Sequence, residues 1–241
     1  MSSIGASAAS ASTWRLDLAR ARAIAWKDLT LEHRTRANFN GVAFLAVLML
    51  LMFGFALGPD AEALRTVSTG VVWLTVLFSG VLSFNRSFQM ELEGGALDVL
   101  LTYPGRRWPL FVGKLAANFG FVLLVEVIVL PLAAILYNVP LFSPFTGMAG
   151  VLILGTLGFV TLGTFYAAMA SRVRAREVLL PLLLFPMLVP LLLAAVGASK
   201  AVLAGDPIRG GDGVAWIRML VAFDVIFLTG SVLVFEYVIE G

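Results

Sequence analysis

Apolar residues gather along the chain into six runs separated by polar breaks: Phe39–Leu57, Thr66–Phe84, Leu110–Tyr137, Gly147–Ala170, Val178–Ala198 and Val214–Phe235. A helix needs about 20 mostly apolar residues to cross the hydrocarbon core of a bilayer, and each run is of that order. A membrane-spanning strand would instead alternate apolar and polar residues over about ten positions. Val42–Leu51 and Leu179–Leu193 are apolar on every side. The pattern therefore predicts an all-α integral membrane protein with six transmembrane helices over residues 39–241.

Upstream of the first run the pattern changes twice. Residues 1–12 are rich in Ser and Ala and carry no charge, which reads as a disordered leader. No basic stretch precedes a continuous apolar core there, so it does not read as a secretory signal. Over residues 13–38 the period becomes helical. Trp14, Leu18, Ala21, Ala25 and Leu29 share a stripe, and Arg20, Lys27 and Arg34 lie on the far side. Such a segment predicts an interfacial amphipathic helix, its apolar stripe among acyl chains and its cations near anionic headgroups. Asp17 and Asp28 flank the stripe and Trp26 sits off it; a short lead-in helix in water is the alternative.

Composition narrows the function classes. The 241 residues are 60% hydrophobic and 13% charged, against roughly 45–50% and 25% in soluble domains. That is too little charge to wet the surface of a soluble enzyme. The absence of cysteine removes disulfides, thiolate metal sites, thiol catalysis and covalent haem attachment through C-x-x-C-H. His33 is the single histidine, and a net charge of +2 does not suggest nucleic acid.

The basic residues are distributed unevenly. Arg15, Arg20, Arg22, Lys27, Arg34 and Arg36 precede the first run; Arg86, Arg106 and Arg107 lie between the second and third, with Lys114 at the exit into the third; Arg172, Arg174 and Arg176 lie between the fourth and fifth. Only Arg65, Lys200 and Arg209 fall on the other side. Cytoplasmic loops carry the excess of Lys and Arg, which predicts a multi-pass protein with both termini in the cytoplasm.

Residues 86–109, between the second and third runs, are too many for the 2–8 residues that usually join packed helices. Glu91, Glu93 and Asp98 bracket Leu97, Leu100 and Leu101, Gly94-Gly95 permits a sharp turn, and Pro104-Gly105 closes the stretch. Ala96 to Thr102 can form two helical turns with a leucine face and an acidic face. An amphipathic helix of that kind docks in a groove of a soluble partner or lies on a membrane.

The stretch E-x-E-G-G-A-L-D-x-L-L-x-x-P (Glu91–Pro104), with Lys114 following, resembles the cytoplasmic coupling segment of type-2 ABC exporter permeases. The likeness is strongest to the haem exporter B subunit family of the cytochrome c maturation ABC complex. The run L-G-T-L-G-F-x-x-L-G (Leu154–Gly163), the turn S-R-V-R-A-R-E-V-L-L-P (Ser171–Pro181) and the proline-bearing Leu183–Leu193 add to it. The likeness covers about Arg20 to the C-terminus. Gly105-Arg106-Arg107 is more basic than the family's usual apolar stretch; the Ser/Ala leader and the glycine-rich Asp206–Gly213 are also departures.

The resemblance implies a non-catalytic permease subunit, two copies of which pair with two ABC ATPase subunits in the bacterial cytoplasmic (inner) membrane. It also implies a haem-handling membrane subunit beside it and, indirectly, a periplasmic haem chaperone. The sequence has no G-x-x-x-x-G-K-[ST] phosphate loop, so ATP is expected on a partner chain. The implied coupling residues are Glu91, Glu93, Gly94, Gly95, Leu97, Asp98, Leu100 and Leu101. No directly bound cofactor or metal is expected; haem is the candidate cargo. Conformational work that releases a haem-loaded chaperone is favoured over passage of haem through the subunit. Export of a lipid, polysaccharide or drug is the alternative within the same fold. An intramembrane enzyme and a scaffold without coupling are rivals from other classes.

Besides Lys114 at the start of the third run, three charges fall inside the apolar runs: Glu126 in the third, Arg218 and Asp224 in the sixth. Ionisable groups at membrane depth usually face the bundle interior. They are expected to form a polar cluster between the third and sixth helices, acting as glue between helices or as a substrate or proton path. Pro181, Pro186 and Pro190 interrupt the fifth run, as a hinge or as shapers of a groove.

Overall fold

The computed structural model describes residues 3–93, 106–143, 145–170, 176–205, 211 and 213–240. Among these the elements are helices: α1 (Ser3–Thr35), α2 (Ala37–Leu57), α3 (Ala61–Glu93), α4 (Trp108–Tyr137), α5 (Phe145–Ala170), α6 (Arg176–Leu203) and α7 (Gly213–Glu240). Helices α2 to α7 contain the six stretches long and apolar enough to cross a membrane, and their order is that of the six apolar runs.

Local chemistry sets the helix ends. Arg36 takes a left-handed conformation (φ 50°) between α1 and α2. There Glu32 Oε1 accepts the Phe39 N–H at 2.7 Å, so a side chain from the end of α1 satisfies an orphan donor in the first turn of α2. Asp60 accepts the N–H groups of Glu62 and Ala63 at 3.0 and 3.2 Å, a side-chain cap for α3. Pro109 opens α4, where its missing donor costs nothing, and Asn138 closes it in the left-handed region (φ 49°).

Two boundaries differ from those expected. Helix α1 starts at Ser3 and so takes in most of the stretch read as a disordered leader; its alanines have the highest helix propensity of any residue. Helix α3 runs on to Glu93 instead of ending near Phe84. The polar continuation Gln89-Met90-Glu91-Leu92-Glu93 contains good helix formers, and hydropathy alone could not see past the apolar stretch. At about 1.5 Å per residue its 33 residues reach about 50 Å, well beyond a hydrocarbon core of about 30 Å.

Helices α3 and α5 form the centre, and α5 touches α3, α4, α6 and α7. Glycines make the close approach possible. A side chain at Gly80 would collide with the Phe159 ring, at Gly155 with Trp73 and at Gly163 with Phe84. Phe159 of α5 thus fills the notch at Gly80 of α3, and Phe84 of α3 fills the notch at Gly163. The two rings meet with centroids 5.0 Å apart. In a bilayer, where lipid tails are as apolar as leucine, such small-residue packing is what draws helices together. The glycine run Leu154–Gly163 is therefore a packing surface.

Outer faces carry the exposed apolar residues, among them Phe44, Met52 and Phe55 on α2 and Val225, Ile226 and Leu233 on α7. Helix α6 keeps its three prolines within one continuous helix and buries a leucine stripe, Leu180, Leu184, Leu188 and Leu191. Contacts at one end of the bundle join the start of α2 to α3 (Asn38–Ser83, 3.4 Å) and the start of α4 to the end of α7 (Arg107–Glu236, 3.1 Å). The start of the first span and the end of the last lie at that same end.

Candidate coupling site and intramembrane acids

Helix α1 docks on the first half of α4. Its docking face is Asp17 and Ala21, both buried, with the half-buried Ile24 and Asp28 on the same line, a spacing of 4, 3 and 4 residues that keeps one helical face. Gly113 lets the helices close: a Cβ there would lie 2.7 Å from the Ala21 carbonyl oxygen and 2.9 Å from Ile24 Cβ. Leu29 lies against Gly120, so the contacts advance along both helices in the same direction. The face that docks is the one holding the two acids that marred the amphipathic stripe. Trp14 and Trp26 stay exposed, at 58% and 73%.

Lys114 is the centre of this junction. It is 1% exposed, and its ammonium lies 2.9 Å from Asp28 Oδ2 and donates to the Ser87 carbonyl at 3.2 Å. One cation thereby ties α1, the distal part of α3 and α4 together. A buried lysine is tolerated only when paired and hydrogen-bonded, and both conditions hold. On the far side of residues 94–105, the Arg107 N–H donates to Glu236 of α7 at 3.1 Å. Phe111 packs on Phe235 with ring centroids 5.0 Å apart.

Both roots of the candidate coupling segment are therefore fastened into the bundle: the exit from α3 by Lys114, the entry to α4 by Glu236. Glu91 and Glu93 occupy the last turn of α3. Gly94, Gly95, Leu97, Asp98, Leu100 and Leu101 lie outside the described residues, as does the expected helical turn of residues 96–102. Lys114 was legible only as a spacing after Pro104. Its partner Asp28 lies 86 positions away with no periodic signal to link them.

The intramembrane acids come to one helix from two directions. Glu126 of α4 is buried and accepts a hydrogen bond from the Thr156 hydroxyl of α5. Asp224 of α7 is buried beside Gly158 of α5, and neither of its carboxyl oxygens has a hydrogen-bond partner. Thr156 and Gly158 are two residues apart, about 200° around a helix of 3.6 residues per turn. Helix α5 thus stands between the acids. Arg218 is exposed, and among the described residues no ion pair joins it to either one. Further polar links cross between helices: Trp73 to Ser199 at 3.0 Å, Asn118 to Thr164 at 3.0 Å and Tyr137 to the Leu50 carbonyl at 2.7 Å. Among the described residues no group of three His, Cys, Asp or Glu side chains is placed to hold a metal.

Six apolar helices and a seventh docked at one end, with fastened helix ends on either side of residues 94–105, define a multi-pass α-helical membrane protein. Residues 19–239 match the family described as CcmB protein, and the chain belongs to that family. It is 34% identical over 195 residues to "Heme exporter protein B" of Rhodobacter capsulatus, covering 80% of this chain and 85% of the relative. The protein of that name from Paracoccus denitrificans is 34% identical over 190 residues, 77% of this chain and 85% of the relative. That from Pseudomonas aeruginosa is 31% identical over 184 residues, 76% and 80%. The family is the one that the segment Glu91–Pro104 and its companion stretches resemble.

Proposed function

We propose that the chain is the membrane subunit of a haem-exporting ABC transporter serving c-type cytochrome maturation, two copies working with two copies of an ATPase subunit. Family membership and the haem-exporter names of the relatives support haem as the cargo. Residues 86–109 are the coupling segment. Leu97, Leu100 and Leu101 seat in a cleft of the ATPase, Glu91, Glu93 and Asp98 meet basic residues on its rim, and Gly94-Gly95 supplies the turn. The excess of Lys and Arg at this end supports a cytoplasmic location for it and for both termini.

The observation that carries this reading is the fastening of both roots, Lys114 on Ser87 and Asp28, Glu236 on Arg107. A displacement of a segment held in this way passes into α1, α3, α4 and α7 instead of being lost in a slack loop. The filled centre, where Trp73, Phe84 and Phe159 occupy glycine notches, favours mechanical work over a pore through this subunit. That work releases a haem-loaded chaperone from a neighbouring haem-handling membrane subunit. Glu126 serves as glue, tying α4 to α5 through the Thr156 hydroxyl, whereas Asp224, with no hydrogen-bond partner on either carboxyl oxygen, only packs against α5 at Gly158.

Purification of the tagged chain from bacterial membranes tests the assignment. An ATPase subunit and a haem-handling membrane subunit should co-elute with it. Replacing residues 91–101 by a Gly/Ser linker should remove the ATPase and leave the membrane partner. Co-elution with an ATPase but with lipid- or polysaccharide-handling proteins in place of the haem-handling subunit would contradict haem as the cargo.

A further inference from the structure

The end of the bundle that carries α1 holds a half-open cavity of about 560 Å³ between α1, the start of α2, the distal part of α3 and the start of α4. Its deep wall is polar, with Asn38, Ser83 and Asn118 buried there. Two acids and four cations line it: Asp28 and Glu32 against Lys27, Arg34, Arg86 and Lys114. Both acids are engaged within the protein. Asp28 pairs with Lys114 at 2.9 Å and Lys27 at 3.3 Å, and Glu32 accepts the Phe39 N–H at 2.7 Å. Arg34 and Arg86 are exposed, and neither makes an ion pair among the described residues.

The cavity thus has a positive balance and is lined by two guanidinium groups, one from α1 and one from α3, that have no ion pair among the described residues. Low-dielectric walls lined by one sign of charge concentrate counter-ions, and arginine forks match phosphate oxygens in paired hydrogen bonds. The flank is apolar: Trp26, Leu29 and Leu31 line the cavity and are exposed. Tryptophan, leucine and arginine side by side are the composition found at the level of lipid headgroups.

We propose that this cavity binds a phosphate-bearing anion, held by Arg34 and Arg86, with an anionic phospholipid headgroup and a free phosphate as the two sources of that chemistry. The cavity adjoins the Lys114 junction, since Asp28, Ser87 and Lys114 also line it. The intact protein, purified in detergent and stripped of lipid, is titrated with phosphatidylglycerol, phosphatidylcholine and inorganic phosphate. Binding is read by native mass spectrometry and by the shift in melting temperature. The double variant Arg34→Gln/Arg86→Gln is compared with the charge-matched variant Arg15→Gln/Arg22→Gln, whose arginines lie on α1 away from the cavity.

Phosphatidylglycerol should raise the melting temperature where phosphatidylcholine does not. The cavity variant should bind it about tenfold or more weakly, as loss of charge-assisted hydrogen bonds requires, and the charge-matched variant should bind it as the parent does. The same variant-sensitive shift with inorganic phosphate alone assigns the site to a free anion. Equal losses in both double variants, or phosphatidylcholine binding as tightly as phosphatidylglycerol, would overturn the proposal.

Discussion

The two ends of α3 are held by different physics. Along its membrane-spanning part, α3 meets α5 by shape: Phe159 in the notch at Gly80, Phe84 in the notch at Gly163, Trp73 against Gly155. Beyond the apolar stretch it is held by charge and hydrogen bonds, with Lys114 on the Ser87 carbonyl and on Asp28. Packing of rings into notches has one good arrangement and resists sliding. A lysine on a long stem, with three donors that rotate, can follow a moving partner. The filled centre suits a rigid frame, and the polar junction suits the place where motion enters.

The comparison can be broken most severely at the junction. Lys114→Met should leave Asp28 with only Lys27 at 3.3 Å and destabilise the protein by about 3 kcal/mol, the low end of the cost of breaking a buried pair. Chemical or thermal unfolding in detergent would read it. Asp28→Asn in the same chain should recover part of the loss, because the half-buried charge left with Lys27 alone is then gone. Full additivity of the two changes would mean that the ion pair does not hold the junction.

The frame should fail differently. Gly163→Leu forces a side chain into the Phe84 ring and should cost about 1–3 kcal/mol by overpacking, with no rescue from any change of charge. Phe84→Leu, which shortens the intruding ring, should relieve it in part. If Gly163→Leu melts like the parent, the notch is not what brings α3 and α5 together.

A smaller effect is expected at the acids. Glu126→Ala removes the partner of the Thr156 hydroxyl and should cost about 1 kcal/mol, whereas Glu126→Gln keeps an acceptor and should cost less. Equal losses for both would mean that the charge, and not the hydrogen bond, matters at that position. Smallest of all, Trp26→Ala should change stability in detergent by no more than about 0.5 kcal/mol, as an exposed site does.

The same division governs what could be read along the chain. The spans were legible because hydropathy is a local property, and the six apolar runs reappear as α2 to α7 with ends shifted by a few residues. The polar end of α3 was not, because its helix continues through residues that carry no apolar signal. On α1 the blemishes were more informative than the stripe: Asp17 and Asp28, which spoiled the amphipathic pattern, lie on the face that docks. The burial of Glu126 and Asp224 was legible from depth. Their separation by α5 depends on which face of that helix each neighbour meets, and its glycines open it toward α3 at Gly155 and Gly163 and toward α6 and α7 at Gly158.

Coupling is the central claim, and ATP turnover tests it most directly. The chain is reconstituted with its ATPase subunit in lipid nanodiscs, and turnover is compared with that of the variants Leu97→Arg and Gly95→Pro. Both positions lie outside the described residues, in the segment proposed to meet the ATPase, and the variants should still insert in the membrane. The stimulation of ATP hydrolysis by the membrane subunit should be lost. Normal stimulation in both variants would contradict the account, whatever the state of the anchors behind them.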